Sequence, residues 1–199
     1  MLTPTELRAD IPTLQDATYL NYGAHGPSPQ YVVEAATALV QRHEYDVPAS
    51  ADSYETAFSE FDETRTQVAS FIGAHPDEIA LTESTSAGIN AIADVIDWQP
   101  GDVVVRTDLK HPAGILLWHR LEHEGVKVRT VETSGGRLDR EAYAEAVADA
   151  RLVSFSAVTW THGTKLPVSD LVVISHDAGA FTLVDAVQVP GQLPMVVAE

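Results

Sequence analysis

The chain has 199 residues and no cysteine, and its 29 acidic side chains against 12 basic ones give a formal net charge of −17. The lack of cysteine excludes disulfides and thiolate metal sites. No apolar run approaches the roughly 18 residues of a membrane span, and the first residues do not resemble a signal peptide. The negative electrostatic field of such a charge repels nucleic acid and anionic membranes. We therefore expect a globular, cytoplasmic protein that binds neither.

Histidines are the remaining candidates for metal ligands. His119 and His123 lie four residues apart on a predicted helix. We interpret them as part of a solvated helix face, with a zinc-binding pair as the alternative. The sequence therefore predicts no metal site.

The acidic residues are spread along the whole chain, and lysine is scarce. Only Lys110, Lys127 and Lys165 are present. Dispersed acidic residues with little lysine are typical of proteins from salt-loving archaea, whose surfaces stay solvated in molar salt. An ordinary acidic cytosolic protein is the alternative interpretation.

We expect folding of this chain to depend on salt, because a net charge of −17 repels itself. The Debye length falls from about 10 Å at 0.1 M to about 3 Å at 1 M salt, so added salt weakens this repulsion. Circular dichroism across a salt series measures the effect. Native-like structure at low salt that added salt leaves unchanged would contradict the halophilic interpretation.

The first part of the chain predicts a turn followed by two helices. The segment 18–27 is short, extended and rich in glycine and proline near its end, and Ser28 and Pro29 are typical of a helix start. A second helix is predicted over 54–72, ended by Gly73. We expect the apolar face of this helix to point inward, through Phe58, Phe61, Val68 and Phe71.

The rest of the chain alternates between short apolar segments and amphipathic segments of about ten residues. Predicted strands cover 78–82, 102–107, 126–131, 152–158 and 181–184. Predicted helices cover 85–96, 113–123, a segment capped by Asp139 that ends near 148, and 169–177. This alternation indicates βαβ units, and hence an α/β fold with a mostly parallel sheet and flanking helices.

A hydroxyl-rich segment, Leu81-Thr-Glu-Ser-Thr-Ser-Ala-Gly-Ile-Asn-Ala-Ile, joins a predicted strand to a predicted helix. Free backbone N–H groups at a helix start attract anions. Thr85 and Ser86, with the amides near Ala87 and Gly88, are therefore candidates to hold a phosphate. An ordinary Ser/Thr helix cap is the alternative.

An acidic residue ends the last predicted strand, in the segment Leu183-Val-Asp-Ala-Val-Gln-Val-Pro-Gly. Ligands of open α/β sheets bind at the carboxyl ends of the strands. A carboxylate there needs a cationic or hydrogen-bonding partner, because burying it unpaired is costly. Asp185 is therefore a candidate partner for a protonated pyridine nitrogen, with a helix cap or loop acid as the alternative.

Two further segments follow predicted strands. Lys110-His-Pro-Ala-Gly places His111 where its ring could stack on a flat cofactor, although a surface turn histidine is the alternative. Val158-Thr-Trp-Thr-His-Gly-Thr-Lys contains a Gly163-Thr164 turn. No GxGxxG follows any predicted strand, which disfavours a nicotinamide dehydrogenase.

Together these four segments, in this order on one sheet, resemble class V aminotransferases and cysteine desulfurase-like enzymes, a family that uses pyridoxal phosphate (PLP). The resemblance runs from Tyr19 to Pro194 and is most specific at Val-Asp-Ala-Val-Gln before Gly191. It implies the large domain of PLP fold type I, incomplete at its carboxyl end. On this view residues 1–50 form an amino-terminal arm and first helix, and residues 51–199 form part of the PLP-binding domain.

The resemblance also implies roles for individual residues. Thr85 and Ser86 match the positions that bind the cofactor phosphate, and His111 matches the residue stacked on the pyridine ring. Asp185 matches the acid that pairs with the ring nitrogen and keeps it protonated. Gln188 matches the residue that contacts the ring hydroxyl.

Asn21 and His25 match the amino-terminal segment that lines the substrate side in the family. The resemblance implies an amino-acid or amine substrate and a homodimer. It leaves transamination, desulfuration and epimerisation open as reactions.

One departure from the family pattern concerns its lysine. In the family a Ser/Gly-x-His-Lys segment after the aspartate carries the lysine that forms the Schiff base with PLP. Here every lysine precedes Asp185, and Trp160 stands where many members have an asparagine. We therefore predict no catalytic Schiff-base lysine in these 199 residues, and a truncated enzyme that is inactive alone. A non-catalytic or split-chain binding module that needs a second polypeptide is the alternative.

Overall fold

The computed structural model of the chain describes residues 3–197. They divide between Ile79 and Ala80 into two compact units. The predicted division into 1–50 and 51–199 stays a prediction.

The first unit is helical. It contains α1 (Pro4–Asp10), α2 (Thr13–Asp16), α3 (Gln30–Gln41) and α4 (Ser53–Ile72). A π turn (Arg42–Asp46) and a 3-10 turn (Val47–Ala49) connect α3 to α4, and another 3-10 turn covers Pro76–Glu78. Helix α4 ends at Gly73, whose φ of 70° is the left-handed conformation that glycine adopts without strain. The predicted end of this helix is therefore confirmed.

The predicted inward face of α4 is wrong. Phe58, Phe61 and Phe71 are 66%, 53% and 63% exposed, whereas Ala69 is buried. The predicted strand 78–82 is also wrong, because residues 76–78 form a 3-10 turn and residues 79–84 have no regular structure. Periodicity finds an apolar face or an extended segment, but it does not supply the helix or strand that must pair with it.

The second unit is an α/β layer structure. Its strands are β1 (Val103–Thr107), β2 (Lys127–Val131), β3 (Leu152–Ser156) and β4 (Phe181–Asp185). Its helices are α5 (Thr85–Asp94), α6 (Leu116–Leu121), α7 (Arg140–Val147) and α8 (Val168–Asp177). The 3-10 turns Pro112–Gly114 and Glu122–Glu124 flank α6.

All four strands are parallel, in the order β2-β1-β3-β4. The predicted parallel sheet with flanking helices is confirmed. The chain moves from β1 to β2 on one side and then returns past β1 to β3 on the other. The carboxyl ends of β1 and β3 therefore lie at the topological switch point, where open α/β sheets form their ligand crevice.

Helices cover both faces of the sheet because side chains alternate along each buried strand. Val103 and Val105 of β1 belong to one core cluster with residues of α7 and α8, including Tyr143 and Leu171. Val104, between them, belongs to a second cluster with residues of α5 and α6, including Ile89 and Trp118. This double burial explains the uninterrupted apolar run in β1.

Within residues 3–197, no helix combines the length and the hydrophobicity needed to cross a membrane.

Candidate active site

The hydroxyl-rich segment forms the start of α5. Ser84 is its cap, since the Ser84 side chain accepts a hydrogen bond from the backbone N–H of Ala87 at 3.1 Å. Thr85 and Ser86 are the first two residues of the helix, and the capping hydrogen bond uses the Ser84 hydroxyl instead of theirs. The first turn therefore offers unpaired N–H groups and two hydroxyls, which suit an anion.

Asp185 ends β4 and lies at the carboxyl edge of the sheet, next to Ser156 of β3 in the strand register. Its side chain is 11% exposed and pairs with Lys110, whose Nζ lies 3.0 Å from Asp185 Oδ2. The Ser156 hydroxyl donates to the same oxygen at 3.4 Å, and the Val187 N–H donates to Oδ1 at 3.1 Å. Asp185 is thus a largely buried anion held by a cation, a hydroxyl and a backbone amide.

Lys110 is the cation of this pair, and none of its side chain is exposed. Burial lowers the pKa of Lys110, and the charge and hydrogen bond of Asp185 act in the opposite direction. A buried ammonium group needs such a partner, because desolvation of an unpaired charge is costly.

The end of the Lys110 side chain passes close to Gly114. A Cβ placed on Gly114 would lie 2.7 Å from Lys110 Cε and 3.1 Å from its Nζ. The same Cβ would lie 3.7 Å from Ile89 Cδ1, so α5 borders this segment. Lys110 therefore runs between the Pro112–Gly114 turn and Asp185.

We expect Gly114→Ala to destabilise the chain by about 1–3 kcal/mol, a common cost of overpacking a core. The new methyl group would displace Lys110 Cε and draw Nζ away from Asp185. Gly88→Ala is the matched control, because its Cβ would meet only Thr82 Oγ1, at 3.6 Å. In a helix interior this change should stabilise by roughly 0.5–1 kcal/mol. Urea unfolding of both variants measures the difference, and equal stabilities would contradict the steric role of Gly114.

His111 follows Lys110 and is exposed, with its Nδ1 accepting the backbone N–H of Ala113 at 3.2 Å. Its ring contacts Trp160 edge-on, with ring centroids 5.1 Å apart and an interplanar angle of 74°. Trp160 belongs to the loop after β3, so the two rings meet at the switch point. Aromatic rings at this place could stack on a planar ligand.

Gln188, Asn21 and His25 are the other predicted site residues. Gln188 is half-buried in the turn after Asp185. Asn21 and His25 belong to the first compact unit, where the Tyr19 hydroxyl donates to the backbone oxygens of both. Their role on a substrate side stays a prediction. Among residues 3–197 no group of three His, Asp or Glu side chains is placed to hold a metal ion.

Sequence reasoning missed the ion pair between Lys110 and Asp185. Lys110 and Asp185 are 75 residues apart in the chain, so no local pattern links them. A signal was present nonetheless, since Lys110 follows β1 and Asp185 ends β4, and parallel strands bring their carboxyl ends to one edge.

The comparisons with known proteins agree with this architecture. Residues 18–199 match the family model for aminotransferase class-V. A probable cysteine desulfurase from Methanothermobacter thermautotrophicus is 36% identical over 193 residues, which cover 94% of this chain and 48% of that protein. The chain therefore belongs to the class V aminotransferase family, whose members depend on PLP.

Two solved structures resemble the fold. The apo cysteine desulfurase from Thermococcus onnurineus NA1 has a TM-score of 0.87 and 30% identity, over 100% of this chain and 51% of that one. A C-DES mutant with glycine covalently linked to its PLP cofactor has a TM-score of 0.85 and 25% identity, over 96% of this chain and 52% of that one. The chain thus spans about half the length of the relatives that it matches.

Proposed function

We propose that this chain carries the cofactor-binding half of a PLP-dependent enzyme of amino-acid metabolism, of the cysteine desulfurase type. The observation that carries the proposal is the Asp185 carboxylate, which lies largely buried at the carboxyl end of β4 beside the switch point. The membership of the chain in the aminotransferase class-V family supports the same cofactor.

The acceptor capacity of Asp185 fits a pyridine nitrogen. An ionised carboxylate has about four lone-pair positions. Lys110 and Ser156 use two on Oδ2, and the Val187 N–H uses one on Oδ1. One position on Oδ1 is left for a protonated ring nitrogen.

In this proposal each of the other residues has a separate task. Thr85, Ser86 and the first-turn amides of α5 hold the phosphate group. His111 packs on the face of the ring, and Gln188 contacts the ring hydroxyl. Asp185 keeps a proton on the ring nitrogen. When bound, PLP supplies the electron sink for chemistry at the α-carbon of an amino acid.

Titration with PLP tests the proposal through ligand affinity. Ser86→Ala should weaken PLP binding, because it removes a phosphate ligand. Ser169→Ala is the matched control, since Ser169 is the second residue of α8 as Ser86 is of α5. We expect the parent chain and the Ser169 variant to bind alike. Absence of binding by the parent chain, or equal affinity in all three proteins, would refute the proposal.

The lysines support a second candidate, a split-chain or non-catalytic binding module. All three lysines precede Asp185, so the family's catalytic lysine has no counterpart after it in these 199 residues. The nucleotide sequence past the codon for Glu199 distinguishes the cases: in-frame continuation with a His-Lys segment indicates one longer enzyme, and a separate start codon indicates a split protein.

We also propose an amino-acid or amine substrate, a homodimer for the whole enzyme, and a cytoplasmic, high-salt setting. Asn21 and His25 are the proposed substrate-side residues. Light scattering of the whole protein measures the oligomeric state, and a monomer would contradict the dimer.

A further inference from the structure

Lys110 is a buried charged group to which the proposed chemistry gives no task. Its Nζ binds Oδ2 of Asp185, the residue proposed to hold the ring nitrogen, and its side chain has no exposed surface. The ring nitrogen would bind the free position on the other oxygen, Oδ1. Two cations would then share one carboxylate from opposite sides.

We propose that Lys110 is a positioning residue that shares the Asp185 carboxylate with the ring nitrogen. By doing so, it makes protonation of the bound ring nitrogen less favourable. This inference rests on the proposed binding of PLP. A positive charge close to a basic nitrogen disfavours its protonated form, whereas an unshared carboxylate favours it. Lys110 therefore sets how strongly the bound ring is protonated.

The surroundings of the pair support this role. Among the described residues, the charged group that contacts Lys110 is Asp185, and Ser156 and the Val187 amide add neutral donors to the carboxylate. His111, the neighbour of Lys110 in sequence, is exposed and accepts the Ala113 N–H instead. The end of the Lys110 side chain passes beside Gly114, where an added Cβ would lie 2.7 Å from Lys110 Cε. The ion pair with Asp185 is therefore the contact that holds the ammonium group in place.

A ligand without an aldehyde gives the test. Deoxypyridoxine phosphate keeps the ring nitrogen and the phosphate but forms no bond with lysine. Isotope labelling of its ring nitrogen reports protonation through the chemical shift, independently of enzyme activity. We would follow that shift with pH for the ligand bound to the parent chain, Lys110→Met and Lys110→Gln.

We expect both Lys110 variants to raise the midpoint of ring protonation by about one pH unit or more. Lys110→Gln keeps a hydrogen-bond donor but removes the charge. It provides the same measurement if Lys110→Met does not fold. Lys127→Met is the matched control, because Lys127 is exposed at the opposite, amino end of β2, and its midpoint should equal that of the parent chain.

The outcomes separate the inference from the proposed function. An unchanged or lowered midpoint in a Lys110 variant that binds the ligand would overturn the inference and leave the proposed function standing. No binding of the ligand by the parent chain would overturn both.

Discussion

Asp185→Asn is expected to lower the free energy of unfolding by about 3–5 kcal/mol, because it leaves the buried Lys110 ammonium without its anion. This is a large fraction of the 5–15 kcal/mol that roughly spans the stability of a folded domain. The Lys110 side chain is fully buried and that of Asp185 is 11% exposed, so water does not replace the lost partner. Urea unfolding of the cofactor-free chain measures the effect.

The double variant Lys110→Met with Asp185→Asn is the decisive comparison. Replacing both members of a buried ion pair is often neutral or stabilising, so the double variant should be more stable than Asp185→Asn alone. Asp170→Asn is the matched control, because Asp170 pairs with Arg140 but both side chains are more than half exposed. Exposed pairs contribute about 0–1 kcal/mol. Additive losses in the double variant would show that the two residues do not interact.

Stability should also rise with pH through the titration of Lys110. Burial lowers the pKa of Lys110 in the folded state below its ordinary value of about 10.5. Between these two pKa values the unfolded chain binds more protons than the folded one, so the free energy of unfolding increases with pH in that window. We expect the parent chain to gain more stability there than Lys110→Met. Parallel pH profiles for the two proteins would contradict this expectation.

The second large effect concerns covalent chemistry. We expect the purified 199-residue chain, mixed with PLP and treated with borohydride, to carry no stoichiometrically labelled lysine and to show no turnover. Lys127 and Lys165 are exposed, and Lys110 Nζ is fixed 3.0 Å from Asp185 Oδ2. In the proposed pose the other oxygen of the same carboxylate, Oδ1, faces the ring nitrogen, across the ring from the aldehyde. Loss of a catalytic nucleophile removes a main part of a rate enhancement that is typically at least about a millionfold.

Peptide mapping after borohydride treatment checks this prediction together with a turnover assay. Lys110→Met, Lys127→Met and Lys165→Met serve as controls that identify any labelled site. One specific lysine labelled in a one-to-one ratio, together with transaminase or desulfurase turnover, would contradict it.

The sequence by itself determined the architecture of the second unit. Its alternating apolar segments predicted the parallel sheet, because a strand buried on both faces, such as Val103–Thr107, needs helices on both sides. It also determined the end of α4, since Gly73 adopts a positive φ angle that other residues rarely take. The place of Asp185 at the end of a strand followed from the same local pattern.

The tertiary structure alone decided what surrounds these residues. The strand order brings the ends of β1 and β4 to one edge, and so joins Lys110 to Asp185 across 75 residues. The tertiary structure also showed that Phe58 and Phe71 of α4 are exposed, whereas the periodicity of the sequence predicted that they point inward. Local sequence patterns indicate the secondary structure of each segment. Contacts between distant segments depend instead on strand order, burial and the space available to each side chain, as for Lys110 beside Gly114.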